Sequence, residues 1–455
     1  MLNRFISLIK KTSRKTDAKN VVGKTKHNVS NKYISRGSMS VITKLQEDGY
    51  EAYLVGGGVR DLLLGGKPKD FDVATNATPE QVKTLFRSAH IIGKRFRIVH
   101  VRFGREIVEV TTFRAGHETA KKENQAVQSD KGILLRDNVY GDLESDALRR
   151  DFTVNALYYN PTTQEVTDFT GGLNDLDNRI LRIIGDPELR FKEDPVRMLR
   201  AVRFACKLGF ALEASVEKNI LDHTNYLAEI PSARLFDEVL KLFMSGSALA
   251  TLHKLKEFNL LEHLFPGLAL SLSQGDSVEN ELVFCAATNT DKRVRQGKSV
   301  TPAFIYASFL WPPLQAAIRH AREVDKVSPH DALFQGAQGV INQQLAVTSI
   351  PKRFLIPMRE IWSLQSRLEK NYGARALEIL ENPRFRAAYD FLLLREQAGE
   401  KVNDLGSWWT TFQHADAETR ETMLKASSGK SKPRRRRRKP KKSATSTNPQ
   451  NITPS

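Results

Sequence analysis

The stretch LVGGGVRDLLLGGKPKDFDV, Leu54 to Val73, decides the reading of this chain, because it sets a glycine-rich turn about a dozen residues ahead of two aspartates spaced one apart. In an extended segment, side chains two positions apart point the same way, so Asp70 and Asp72 offer two carboxylates to one side while Phe71 goes to the other. Hard divalent cations take carboxylate and phosphate oxygens, and two of them roughly 4 Å apart stabilise both oxygens of an in-line displacement at phosphorus. Upstream, the apolar run Ala52 to Val55 reads as a strand. Gly56, Gly57 and Gly58 then leave a backbone without Cβ atoms, whose N–H groups can approach a polyphosphate closely. A helix over Val59 to Leu64, closing at Gly65 and Gly66, aims its positive end at the same spot, and Arg60 and Lys67 add fixed charge. A glycine triplet alone is also a tight strand-to-helix turn, and a lone Asp-x-Asp is also a solvated turn. Their conjunction at this spacing points to metal-dependent chemistry on a nucleoside triphosphate.

A third carboxylate is expected from a neighbouring strand. Ile98 to Phe103 (IVHVRF), the turn Gly104 and Arg105, and Glu106 to Phe113 (EIVEVTTF) read as a hairpin of β-branched residues. Alternation puts Glu109 and Thr111 on one face and Val108 and Val110 on the other. Glu109 is preferred to Glu106, because a carboxylate between strand valines is costly without a metal or donor, whereas Glu106 sits at the turn.

Further on, Glu193-Asp194-Pro195 opens a helix, with Asp194 suited to the N-cap, Pro195 to the first helical position and Gly209 to the stop. Arg197, Arg200, Arg203 and Lys207 recur every three or four residues along it, a basic arc opposite Leu199, Val202, Ala205 and Cys206. Such an arc is equally the pattern of a solvated face.

Taken in order, LVGGGVRDLLLG, KDFDVATNATPEQV, EVTTFR, LRRDFTVNAL and EDPVRMLRAVRFACKLGF resemble the class II tRNA nucleotidyltransferase and bacterial poly(A) polymerase family. The likeness is close over about residues 34–265 and looser to about 415. It implies an α+β chain: a polymerase-β-like nucleotidyltransferase head with a small mixed sheet, followed by all-α neck and body domains. It implies template-independent addition of nucleotides to an RNA 3′ end. Asp70 and Asp72, with Glu109 or Asp151, would hold two Mg²⁺ ions, and Asp151 would serve as a further acidic group orienting the nucleotide ribose or supporting catalysis. Gly57, Gly58, Arg60 and Arg150 would meet the triphosphate of ATP, and Asp194, Arg197 and Arg200 would edge the nucleotide pocket. Asn155 could reach a sugar hydroxyl or simply open a turn. The segments RFRIVHV, IPKRF and NPRFRAAYDFLLLREQ look like the poly(A) branch rather than the CCA-adding one, whose members carry Gly-Thr where Arg97 and Ile98 stand. A CCA-adding enzyme and a non-catalytic RNA-binding adaptor are the alternatives.

Charge locates the RNA contact. Ten Lys/Arg against one acid in residues 1–36, and eleven against none in residues 422–455, account for the whole +18 and leave the stretch between them at about −2. The run KSKPRRRRRKPKK, with Arg434, Arg435, Arg436, Arg437 and Arg438 at its centre, has nothing to place in a core and reads as a disordered phosphate-binding tail. Contact with anionic lipid or acidic protein is the competing use of such a tail. The leader Met1 to Lys15 is acid-free and amphipathic, too short to span a bilayer and without a secretory pattern, so it reads as a disordered arm in the cytoplasm with weak membrane association. Cys206 and Cys285 stand in apolar surroundings, as small core residues do in a reducing compartment, and His100 reads as structural. No histidine and cysteine cluster has zinc spacing. The expected divisions are an arm at 1–36, a head at 37–165, a neck at 166–235, a helical body at 236–421 and the tail at 422–455. A monomer acting on RNA 3′ ends and ATP, in company with RNA-decay proteins, completes the expectation. The polar segment Glu118 to Lys131 is read as a loop without an assigned role.

Overall fold

The computed structural model of the protein describes residues 19–93, 97–115, 127–128, 134–136 and 139–428. Its centre is a mixed eight-stranded sheet. The strands are β1 (Asn20–Val22), β2 (Ala52–Val55), β3 (Asp72–Thr75), β4 (Ala89–Ile92), β5 (Ile98–Phe103) and β6 (Glu106–Thr112). After a two-stranded ribbon of β7 (Val127–Gln128) and β8 (Leu134–Arg136) come β9 (Leu157–Asn160) and β10 (Glu165–Asp168). The order across the sheet is β1-β10-β9-β2-β3-β6-β5-β4. Within this sheet only β3 and β6 pair in parallel; the other described pairings are antiparallel, as short hairpin connections allow.

One face of this sheet is the main core. Val73, Val99, Val101, Val108, Val110 and Tyr159 point into it and meet Val41, Ile42 and Leu45 of helix α1 (Arg36–Glu47) and Val59 and Leu62 of α2 (Gly57–Leu63). Val82 of α3 (Pro79–Leu85) joins them, under a capping box in which the Thr78 hydroxyl and the Gln81 side chain each bond the other's backbone N–H. On the opposite face Val55, Ala74, Phe113 and Tyr158 pack with Leu143 and Ala147 of α4 (Leu143–Leu148). Successive residues of β2 and β3 alternate between the two faces, which is why β2, covered on both, reads as a continuous apolar run.

Two boundaries differ from the sequence expectation. Asn20–Val22, assigned to the arm, pairs with Val166–Asp168 at the sheet edge, and Val29 and Ile34 are buried behind it. Likewise β10 reaches Asp168, so the expected connector from Val166 onward begins inside the sheet. Helices then follow: α5 (Gly172–Asp177), α6 (Pro187–Glu193), α7 (Val196–Leu208), α8 (Ala214–Asp222) and α9 (Ser232–Phe243). Gly209 stops α7 at φ +67° in the left-handed region, as read from sequence. Farther along, Phe243, Phe265 and Phe309 meet edge to face at ring separations of 4.7 to 6.1 Å, with Tyr306 against Phe265.

The chain divides into two compact units, residues 1–359 with 397–400, and residues 360–396 with 401–455. The second unit has its own core of Leu364, Leu368, Phe385, Tyr389, Leu392, Trp409 and Phe412, with Trp408 stacked on Phe412. Among the described residues, no helix is long and apolar enough to cross a membrane.

Candidate active site

The site is built where β2 turns into α2. Gly56 takes φ +77° to make the turn, a conformation that side chains rarely adopt. A Cβ on Gly56 would lie 3.6 Å from Asp72 Oδ2 and 4.0 Å from Arg150 Nη1. One on Gly58 would lie 3.1 Å from the Phe71 ring and 3.2 Å from the Asp70 carbonyl oxygen. The turn therefore brings bare backbone, two aspartates and a guanidinium together. Around it opens a cleft of about 640 Å³, lined by Gly56, Gly57, Gly58, Arg60, Asp61, Lys67, Pro68, Lys69, Asp70, Asp72, Arg150, Asp151, Asn155, Arg200, Arg203, Phe204 and Lys207. That volume suits a small-molecule ligand.

Asp72 opens β3 and stands in register beside Glu109 of β6, so both carboxylates lie on one face of the sheet. Burial first, then the charges of Glu109 and Asp70, push the Asp72 carboxyl up to about 6 against the pull of Arg150. Asp70 lies two residues ahead of β3 rather than within it, because the chain after the Leu64-Gly65 turn stays irregular through Phe71. It lines the cleft all the same. Glu106, the carboxylate set aside from sequence, is on the other face beside Gly37 of α1.

Three guanidinium groups of the cleft, those of Arg60, Arg150 and Arg200, are held by carboxylates or other acceptors. Arg60 is almost wholly buried and gives Nη1 to the Asn155 side-chain oxygen at 2.6 Å and Nε to Asp61 at 2.8 Å. Arg150 donates to Asp146 and to the Tyr158 hydroxyl, both at 2.8 Å. Burial alone would lower its pKa, yet Tyr158 and Asp146 raise it on balance, so its charge is fixed. Arg200 donates Nε to Asp151 at 2.8 Å. Burial pushes Asp151 up, but Arg200 and the Phe152 and Asn155 donors outweigh it and hold the carboxyl down at about 2. Asp151 is thus engaged by Arg200, whose guanidinium it holds at the cleft.

Three guanidinium groups surround one ring: Arg60, Arg200 and Arg203 lie 5.3, 5.5 and 4.5 Å from the Phe204 centroid. Arg203 Nε is buried without a hydrogen-bond partner, and burial followed by the like charge of Arg200 lowers the Arg203 pKa. Sequence reading placed Arg203 and Lys207 in the basic arc of α7 without giving them a site. The available signal was Phe204, an aromatic inside that arc.

Two expected pocket residues stand outside the cleft lining. Asp194 accepts from Arg234 at 2.8 Å and, from Oδ1, caps the Val196 N–H at 3.3 Å. Arg197 donates to Glu193 at 3.0 Å and to the Arg190 carbonyl at 2.8 Å. The helical step of about 100° per residue spreads the four cations of α7 over about 120°, with Arg197 at one edge and Arg200, Lys207 and Arg203 turned about 60° to 120° away from it, so Arg197 cannot serve the same pocket equally. Arg434, Arg435, Arg436, Arg437 and Arg438 lie outside the described residues, as does the leader through Ala18. Among the described residues, no three or more His, Cys, Asp or Glu side chains gather in a way that could hold a metal ion. The carboxylates available to a cation in the cleft are therefore Asp70 and Asp72, with Glu109 alongside.

Comparison with known proteins agrees with this architecture. Residues 52–182 match the model described as "Poly A polymerase head domain", residues 209–272 "Probable RNA and SrmB- binding site of polymerase A", and residues 325–443 "Polymerase A arginine-rich C-terminus". Poly(A) polymerase I of Haemophilus influenzae is 44% identical over 89% of this chain and 90% of its own. The enzyme of the same name from Escherichia coli O6:H1 is 44% identical over 93% and 92%. A CCA-adding enzyme of Lactobacillus helveticus is 41% identical, but over 45% of this chain and 49% of its own. Among solved structures, one described as a tRNA-processing enzyme complex shares the fold with a TM-score of 0.56 at 22% identity, covering 86% of this chain and 97% of that one.

Proposed function

The chain belongs to the bacterial poly(A) polymerase family, and on that premise we propose that its cleft carries out the ATP-dependent addition of AMP to RNA 3′ ends with the residues gathered around Gly56. The enzyme is a template-independent nucleotidyltransferase that polyadenylates RNA. The observation that carries the site assignment is the convergence of the Gly56–Gly58 turn, Asp70, Asp72 and Arg150 on one cleft.

The residues fit the magnesium ions that the family implies. Asp72 is a half-buried carboxylate raised first by burial and then by Glu109 and Asp70, with only Arg150 pulling against them, so a bound cation there would offset charge that the protein leaves largely uncompensated. Asp70 and Asp72 would hold the ions, which supply charge neutralisation and polarisation at the phosphates. The amides of the glycine turn receive the polyphosphate, and Arg150, held by Asp146 and Tyr158, presents Nη1 to it. Arg200, fixed by Asp151, adds positive charge along the cleft. Glu109 faces Asp72 from the opposite strand and orients the RNA 3′-hydroxyl. The hydroxyl oxygen forms its bond to the α-phosphorus of ATP as the bond to pyrophosphate breaks, and the preorganised cations meet the charge that develops.

Product choice follows the reach of the likeness: poly(A) polymerases match across nine-tenths of the chain and CCA-adding enzymes across about half. A cytoplasmic monomer, RNA capture by Arg434 to Arg438, RNA-decay protein partners and weak membrane association of the leader belong to the same reading. The test is extension of a labelled RNA with ATP or CTP, beside tRNA lacking its CCA end. Long oligoadenylate tails from ATP, lost in Asp70→Ala, are expected. Growth confined to CCA on tRNA would replace the reading.

A further inference from the structure

We infer that the last nucleotides of the RNA lie on the open face of β4, β5 and β6, seated on His90, His100 and Arg102; this rests on the reaction proposed above. The argument begins with direction. In-line displacement puts the attacking oxygen opposite the departing pyrophosphate. The polyphosphate cradle, formed by the Gly56–Gly58 turn and Arg150, lies on the β2 and β9 side of Asp72, since β3 is flanked by β2 on one edge and β6 on the other. The nucleophile therefore arrives over β6.

What it meets there is fixed by register. Asp72 stands opposite Glu109, Glu109 opposite His100, and His100 opposite His90. Directly paired residues share a face, so one row crosses four strands from the reacting carboxylate outward, about 14 Å at the usual strand spacing. The same face carries Arg102, exposed and directly opposite Ile107, and Ile98 opposite Ile92. Ile92 and Ile107 are 36% and 48% exposed, and His90 and Glu109 are exposed as well. The other face of these strands is the valine core, so the exposure is one-sided.

The chemistry selects the occupant. Imidazole rings and bare isoleucines offer stacking surface to unpaired bases, an exposed guanidinium offers a phosphate contact, and none of this demands a base sequence. A single carboxylate, Glu109, lies nearest Asp72, where the sugar hydroxyl rather than a phosphate must come. Its Oε1 is 3.4 Å from His100 Nε2, so His100 also keeps that carboxylate at the row. A single-stranded RNA end fits this order of apolar, cationic and acidic groups along one line.

The experiment uses the full chain with a short oligoadenylate ending in a 4-thiouridine. Irradiation should attach the RNA end to residues 89–92 and 98–109. In His90→Ala/Arg102→Ala, two exposed positions, KM for the oligoadenylate should rise about five- to tenfold, the size of losing one stacking contact, while KM for ATP stays put. Attachment confined to α7 or to residues beyond 425, with the primer KM unchanged in the variant, overturns the path. A wild-type chain that attaches RNA on β5 yet adds no AMP would instead sink the reaction and leave the path standing.

Discussion

At the scale of single residues, Asp72 and Asp151 show how environment separates two aspartates of one cleft. Asp72 has its carboxyl raised to about 6, so in the folded chain the neutral form is favoured relative to the unfolded one. Ionising it above pH 6 costs stability, on the order of 2 to 3 kcal/mol by the shift, and that cost fades as pH falls toward 4. Without divalent cation, Asp72→Asn should therefore raise the melting temperature at pH 7.5 by several degrees, with the gain gone near pH 4, while RNA-primed AMP incorporation falls to background. An unchanged melting curve would show that Asp72 carries no charge strain. Asp151 is the reverse case. Held at about 2 by Arg200 and two further donors, it contributes stability present above about pH 4 and lost as pH falls through 2. Asp151→Asn strands the Arg200 guanidinium, so calorimetry at pH 7 should record a loss of roughly 3 kcal/mol. Neither partner was legible in the sequence: Arg200 lies 49 residues from Asp151, and Arg234, which holds Asp194, lies 40 residues away. Residue type and local spacing announce a carboxylate, but its charge partner is decided by the fold.

At the scale of elements, what is local was readable. The hairpin of β5 and β6 follows from β-branched alternation around Gly104, and α7 ends at Gly209 because only a residue without Cβ takes that left-handed turn at no cost. β1 was not readable: three residues, Asn20–Val22, with two exposed, carry no alternation of their own and owe their strand form to pairing with β10. The strand-turn-helix element β2-α2 is the one whose tolerance decides activity. Gly58 has ordinary backbone angles, so alanine is conformationally allowed there, and its methyl would meet the Phe71 ring at 3.1 Å and the Asp70 carbonyl at 3.2 Å. The ring can yield by tenths of an ångström, but the Asp70 backbone moves with it. Gly58→Ala should therefore cost about 1 to 2 kcal/mol of stability, the scale of mild overpacking. Its kcat should fall at least tenfold, because a misplaced reacting geometry is penalised far more than a misplaced core. Paired melting and pyrophosphate-release measurements separate the two; equal, small losses in both would show that the turn does not set Asp70.

At the scale of the whole molecule, the charge is sorted before any fold forms. The excess of +18 stands in the two ends, and the folded body between them is close to neutral, so the long-range attraction for RNA is expected mainly from the ends. Fold and chemistry at this level were legible because glycine turn, aspartate pair and hairpin follow one another within sixty residues, whereas the division into two compact units was not, since nothing in the composition marks a break near residue 360. From the charge sorting follows a test that separates capture from chemistry. A chain ending at Ser428 keeps the last described helix, Ala417–Ser428, and loses ten Lys/Arg, Arg434 to Arg438 among them. Single-stranded RNA releases about 0.7 counterion per neutralised phosphate, so the slope of log KM for RNA against log salt should flatten by several units at most and by at least one. KM should rise most at low salt, where the tail contributes most, and kcat at saturating RNA should stay within about twofold, since the cleft residues are all upstream of residue 208. If the truncated chain kept the full salt slope, the attraction would have to come from the leader or from the sheet face beside Asp72. A fall in kcat at saturating primer would mean that the tail acts within the catalytic step itself.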